Sequence, residues 1–267
     1  MPQFVPVDDP ADPRVARYVA VRERDLVGHG RRFIAEGEVV LRHLLSRRRF
    51  ALESLLVAEK RLGHLADELA QVPAGVPVYV ASQGVMDAIV GFHIHRGVLA
   101  IGLRGEEPTA EALLAGLGPH ALVVALVGIA NHDNMGGIFR NAAAFGADAV
   151  LIDETSCDPL YRKAIRVSVG ASLIVPFARE GNGDGLVDLL ARHGFEAVAL
   201  SPRGRERLSD LPRPGRVALL LGAEGPGLPE ALLARTRSVR IPMAAGFDSL
   251  NVATTSGIAL HHLAMQG

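Results

Sequence analysis

The chain has 267 residues, 49% of them apolar, and a formal net charge of -1. It can therefore bury one large core or two modest ones, and its bulk charge makes no case for nucleic acid. A lone cysteine, Cys157, rules out an internal disulfide and points to a reducing cytoplasm. Ala121 to Ala130, the longest strongly apolar run, is too short to cross a bilayer, and acidic Met1 to Pro10 lacks the basic start of a signal peptide.

Residues 1–21 read as an N-terminal extension. From 22 to 104 strand and helix signals alternate. Arg32 to Gly37 is a short strand, and Glu38 to Leu45 is a helix with Val39, Val40, Leu44 and Leu45 on one face. Ser54 to Ala58 is a strand, Leu62 to Leu69 a helix, and Pro77 to Val80 and Gly97 to Leu103 are further strands. That order implies a small parallel or mixed sheet covered by helices. Between Arg14 and Arg49 ten Arg stand against four acids. This local excess suits either a phosphate-binding surface, with Arg31 and Arg32 as candidates, or a solvated helical face. Lys60 and Lys163 are the only lysines, a bias that a genome rich in G and C would also produce.

Residues 105–120 look like a linker with a short helical pattern from Thr109 to Leu114. The second unit, 121–267, opens with Ala121 to Val127, a continuous apolar run typical of a central parallel strand. Further strands are expected at 149–152, 197–200, 217–221 and 239–241. Helices are expected at 137–145, 186–193, 228–235 and 252–263, and Gly181 to Gly185 reads as a flexible turn.

Three segments of this unit carry chemistry. In Asn134-Met135-Gly136-Gly137-Ile138-Phe139-Arg140 a loop turns into a helix near Gly137, placing Arg140 in the first turn and aiming it at the loop that holds Asn134. The Arg fork suits a phosphate or a ribose oxygen, and the glycines allow close approach of a substrate. Read locally, the same string also fits an Arg paired with Asp133 and an Asn that caps the helix. Leu221-Gly222-Ala223-Glu224-Gly225-Pro226-Gly227-Leu228 runs from an apolar strand into a glycine loop with one acid. It is neither a dinucleotide-binding fingerprint nor a Walker loop, and read locally a plain tight turn with Glu224 near a helix N-terminus is the better explanation. The third segment is Ser249-Leu250-Asn251-Val252-Ala253, at the start of a probable helix.

In order and internal spacing the three resemble the motifs of the SpoU (TrmH-like) RNA 2′-O-ribose methyltransferases of the SPOUT superfamily. Asn141-Ala142-Ala143-Ala144-Phe145-Gly146 continues the first motif as that family does, and Ile241-Pro242-Met243 matches its next strand. Asn131-His132-Asp133 departs from the family's usual Asp-Pro-x before the Asn. The resemblance implies a C-terminal SPOUT α/β domain with a deep trefoil knot, preceded by a smaller L30e-like α/β domain that binds the RNA substrate. It implies S-adenosyl-L-methionine as cofactor, held by Leu221, Gly222, Ala223, Glu224, Gly225, Ile241, Pro242, Met243, Ser249, Leu250 and Asn251. Arg140 is then the principal catalytic residue, assisted by Asn134, Glu224, Ser249 and Asn251. Arg166 and Ser168, in a stretch similar to the family's Arg-x-Ser-x-Gly-Ala, join Arg31, Arg32 and Arg140 as RNA-facing candidates. A helix ending at Gly170 explains that stretch as well.

The implied reaction is attack of a ribose 2′-hydroxyl on the methyl carbon of the cofactor, which needs alignment and proton removal but no metal. Because a guanidinium holds its proton tenaciously, Arg140 reads first as a clamp on phosphate or developing alkoxide and second as a general base. His93 and His95 have ligand-like spacing but lack a third ligand nearby, so no metal is expected. The expected partners are RNA, ribosomal more than transfer RNA, and a second copy of the chain through the knotted domain. Two rivals stand beside this reading: a catalytically silent RNA-binding protein of the same fold, and a small-molecule α/β enzyme using the glycine loops for a nucleotide.

Overall fold

A computed structural model describes residues 2–19, 26–27, 30–212, 215–247 and 249–265. The expected start of the first unit at residue 22, with Arg22 and Arg24 of the basic stretch, lies outside the described residues. The chain separates into two compact units, 1–106 with 160–174, and 107–159 with 175–267.

The first unit contains β1 (Gln3–Val7), β2 (Arg32–Glu36), α1 (Glu38–Arg47), β3 (Ala51–Ala58), α2 (Ala66–Ala70), β4 (Pro77–Ala81), α3 (Gln83–Val90) and β5 (Val98–Leu103). Its sheet runs β1-β4-β3-β5-β2, parallel among the first three strands and antiparallel where β5 meets β3 and β2. On α1 the buried residues are Val40, Leu41, Leu44 and Leu45, while Val39 is 43% exposed. A helical stripe advances about 100° per residue, so Leu41 rather than Val39 completes that face. The helix expected over 62–69 is confined to α2, after a 3-10 turn at Glu59–Arg61. Neither β1 nor α3 was expected from the sequence. Four arginines of the basic stretch are ion-paired within this unit: Arg14 with Asp12, Arg17 and Arg32 with Glu53, and Arg42 with Glu38 and Glu68.

The second unit begins with α4 (Ala110–Ala115), β6 (Ala121–Val127), α5 (His132–Ala144) and β7 (Ala149–Ile152). The chain then supplies α6 (Arg162–Val167) to the first unit. It returns with β8 (Phe177–Arg179), α7 (Gly183–Arg192), β9 (Glu196–Leu200), β10 (Glu206–Arg207), β11 (Arg216–Gly222), α8 (Glu230–Ala234), β12 (Arg237–Arg240) and α9 (Val252–Met265). The expected linker is not a free connector, because Ala110 and Leu114 of α4 are buried in this unit's core. Thr109 caps α4, its hydroxyl accepting from Ala112 N at 3.1 Å. The expected flexible turn at 181–185 starts α7 instead, since Asn182 accepts from Gly185 N and caps it.

All seven strands are parallel, in the order β10-β12-β9-β11-β6-β7-β8. Alternate residues of β6 face opposite sides of the sheet, yet every residue from Ala121 to Leu126 is buried. Both faces are therefore covered, which is why the strand reads as an unbroken apolar run. The C-terminal ends of β12, β9 and β11 lie side by side, the edge where parallel sheets present their ligand loops.

Candidate active site

Asn131 caps α5 by accepting from Asp133 N at 2.8 Å, so the helix begins five residues before the expected Gly137. This corrects the reading of the first motif. Asn134 lies in the first turn and is 5% exposed, whereas Arg140 stands exposed in the body of the helix. Six helical residues turn through roughly 600°, so the two side chains leave on different faces, and Arg140 does not project toward Asn134. Nor is Arg140 paired with an acid: it makes no hydrogen bond or ion pair among the described residues. The close approach that Gly137 permits is that of α9, because a Cβ there would lie 2.6 Å from Ala253 Cβ. Beside it Asn141 Nδ2 donates to Ala253 O (2.7 Å) and Ser256 Oγ (2.9 Å).

The second motif is a loop that only glycine can build. A Cβ on Gly222 would meet the Gly227 carbonyl carbon at 2.5 Å, and Gly225 and Gly227 have φ of +85° and +71°. Gly227 N closes the turn on Ala223 O at 3.0 Å, leaving Glu224 exposed at its crest. The next helix, α8, starts only at Glu230, after Pro229.

The third motif ties the other two together. Asn251 caps α9, its Oδ1 accepting from Ala253 N (3.0 Å) and Thr254 N (3.2 Å). Its amide Nδ2 donates to Asn134 Oδ1 and Glu224 Oε1, both at 2.8 Å. One side-chain amide thus bridges the first and second motifs, reaching 117 residues back along the chain to Asn134 and 27 to Glu224.

A cavity of about 450 Å³ opens where β9, β11 and β12 end. Leu221, Gly222, Ala223, Glu224, Gly225, Ile241, Met243, Ser249, Leu250 and Asn251 all line it; Pro242 does not. Asn134 reaches it only through Asn251, and Arg140 is absent from its wall. Gly227 and Val252 of the motif segments line it too, and so do Leu200, Ser201, Pro202 and Thr255, which the sequence did not single out. Leu200 ends an expected strand, but its place beside β11 follows from the sheet order, which no local pattern encodes.

The RNA-facing candidates fare unequally. Ser168 is 2% exposed and donates to Ile165 O at 3.0 Å within its own turn, so it cannot face a ligand. Arg32 is half-buried, held by Glu53 and by Gly30 O. Arg31 is exposed but its guanidinium is bound to Gly105 O, while Arg166 is exposed.

The cavity suits a nucleoside joined to an amino acid. Its aliphatic walls fit a flat base, its glycine loop brings backbone polar groups within reach, and an acid at the rim can accept from ribose hydroxyls. A family model described as the SpoU rRNA Methylase family matches residues 121–261. A protein of Mycobacterium bovis named as an uncharacterized tRNA/rRNA methyltransferase is 41% identical across 98% of this chain and 92% of its own length. Among solved structures, an AdoMet-bound rRNA methyltransferase from Sinorhizobium meliloti is similar with a TM-score of 0.81 at 25% identity, covering 98% of this chain and 97% of the other. An RNA 2′-O ribose methyltransferase is similar with a TM-score of 0.79 at 27% identity, covering 98% and 99%. The chain belongs to the SpoU methylase family of S-adenosylmethionine-dependent RNA methyltransferases.

Proposed function

We propose that this protein methylates a ribose 2′-hydroxyl in structured RNA, ribosomal RNA in preference to transfer RNA, from S-adenosylmethionine bound in the cavity above β9, β11 and β12. The observation that carries this reading is the meeting of all three motif segments at the Asn251 amide, on the wall of that cavity. When bound, the cofactor supplies an electrophilic methyl carbon and leaves as a neutral thioether. Leu221, Met243 and Leu250 flank the ligand, and Glu224, its carboxylate fixed by Asn251, accepts from ribose hydroxyls. Arg140, exposed and without a partner among the described residues, clamps a substrate phosphate or the developing alkoxide. Asn134, Ser249 and Asn251 fix the loops against which the substrate ribose is aligned.

In this reading the loops thread as a trefoil knot, the first unit (1–106 with 160–174) is an L30e-like RNA-binding unit, and the enzyme works as a homodimer in the cytoplasm. Self-association is supported by α9, where Ile258 (41% exposed) and Met265 (67%) share an outer face seven residues apart. No helix among the described residues is long and apolar enough to cross a membrane.

Tritiated methyl transfer to ribosomal and transfer RNA, compared for the native protein and Arg140→Ala, tests the assignment. The variant should bind cofactor normally and lose methyl transfer by roughly 10²–10³-fold, the effect of removing one preorganised charge stabiliser. Equal incorporation by both proteins would remove Arg140 from the chemistry. Tight binding of cofactor and RNA by the native protein without transfer would favour a silent RNA-binding protein.

A further inference from the structure

We propose that Ser201–Arg207, the loop after β9 together with β10, is a phosphate-binding track that holds the RNA backbone beside the nucleotide offered to the cofactor cavity. The proposal rests on the methyltransferase reading and adds where the substrate strand lies.

The loop leaves the C-terminal end of β9, and its first residues, Ser201 and Pro202, already form part of the cofactor cavity wall. The next residues are Arg203-Gly204-Arg205-Glu206-Arg207. A second cavity of about 250 Å³, lined by Ser201, Arg203, Arg205, Glu230, Leu233 and Ser238, adjoins the first and shares Ser201 with it. Arginines thus begin where the cofactor wall ends.

The backbone that carries them is firmly held. Ser201 N donates to Val239 O and Arg205 N to Ser238 O, each at 3.0 Å. Gly204 lies so close to β12 that a Cβ would meet the Val239 carbonyl carbon at 2.2 Å. Arg240 Nη1, also of β12, donates to Gly204 O (2.5 Å) and Arg205 O (2.8 Å). These bonds fix the chain from which the guanidinium groups extend, so little backbone order need be gained on binding.

The charges are available. Arg205 and Arg207 are exposed and make no side-chain hydrogen bond or ion pair among the described residues. Between them Glu206 turns away to Arg237, at 2.7 Å, which leaves the two flanking arginines exposed on either side of it. Arg205, at the bend before β10, and Arg207, within it, are two residues apart, so their backbones lie at most about 7 Å from each other, on the scale of the step between neighbouring phosphates. Arg203 is paired with Glu230 at 2.9 Å, but both side chains are more than three-quarters exposed, so a phosphate can displace the acid easily. β10 is also the outermost strand of its sheet, so no further strand of the sheet covers this side.

The test is binding of unmodified ribosomal RNA transcripts across about 50 to 200 mM salt, the range over which phosphate contacts weaken most visibly. Each of Arg205→Gln and Arg207→Gln should lower affinity and reduce the slope of log affinity against log salt by about 0.7 to 1, and the double variant by about twice that. Arg205→Lys should keep most of the slope, and calorimetry should find cofactor affinity unchanged in every variant. Arg192→Gln, an exposed arginine on α7, controls for bulk charge. An unchanged slope in the double glutamine variant overturns the track, as does an equal loss in the Arg192 control. If the track variants lose slope as expected while native protein transfers no methyl group, the methyltransferase reading fails and the track stands as an RNA contact.

Discussion

Asn251 performs two tasks that substitution can separate. Its side-chain oxygen caps α9, and its amide nitrogen links Asn134 to Glu224. Asn251→Ala should lose about 1 kcal/mol for the cap, read as a lower midpoint in urea. Asn251→Ser retains a capping oxygen but cannot bridge the other two side chains. It should recover most of the stability and little of the methyl transfer. Recovery of both would reduce Asn251 to a helix cap. Cys157 gives a second residue-scale prediction: burial first, and Asp158 next, push its thiol up to about 11. At pH 8 its thiolate fraction should be about a hundredfold below that of a thiol at 9.0, so iodoacetamide should label the native protein slowly. Labelling should accelerate as pH rises toward 11 and on unfolding; rapid labelling of the native protein at pH 8 would contradict it.

At the scale of elements, Gly137 decides how closely α5 and α9 approach. Alanine is favoured over glycine in a helix by up to about 1 kcal/mol. Here its Cβ would sit 2.6 Å from Ala253 Cβ, and overpacking typically costs about 1–3 kcal/mol. Gly137→Ala should therefore destabilise, and Ala253→Gly in the same chain should restore stability, a coupling that a double-mutant cycle measures. Additive effects would mean that the helices move apart freely. The start of α5 shows where local reading stops. Gly136-Gly137 signals a break in the string, and only the Asn131 cap and the packing against α9 make both residues helical. The strands of the second unit were legible because burial on both faces writes an unbroken apolar run. The sheet order that gathers β9, β11 and β12 around one cavity is a long-range property, so Leu200, Ser201 and Thr255 stayed hidden while motif residues such as Glu224 and Asn251 did not. Another element shows a pH dependence. Asp87 of α3 accepts from Ile94 N (3.0 Å), His93 Nδ1 (2.6 Å) and Gln83 Nε2 (2.6 Å), and these bonds, the Ile94 amide foremost, hold its carboxyl at about 2. The folded state thus prefers the carboxylate. Its contribution is complete above the ordinary value of 3.8 and is lost as pH falls through about 2. Thermal melts should find Asp87→Asn less stable than the native chain at pH 5, with the gap closing toward pH 2.

For the whole molecule, the division of the chain is not a single cut. The boundary at Glu106 and Glu107 separates the two units, but 160–174 belongs with the first although it lies within the sequence of the second. That segment brings apolar residues that are buried in the intact protein: Leu160, Ala164 and Ile165 at 0% exposure and Leu173 at 1%. Arg162 pairs with Glu36 at 2.9 Å and lies over the Phe92 ring at 4.8 Å, and Gly170 (φ +81°) passes so near α1 that a Cβ would be 3.3 Å from Val40 Cα. A chain begun at Glu107 would strip these partners away and leave an apolar segment and an unpaired Arg162 in water. It should bind a hydrophobic dye strongly and elute as aggregates, because an exposed apolar patch of this kind promotes association. Replacing 160–174 in that shortened chain with a Gly/Ser linker of equal length should return a discrete species that still binds S-adenosylmethionine, since none of these residues lines the cofactor cavity. Gel filtration with calorimetry checks both halves of the prediction. If the simple truncation is as well behaved as the linker variant, the segment is not held by the first unit in solution. If the linker variant is soluble but blind to the cofactor, the second unit needs the first to shape its cavity.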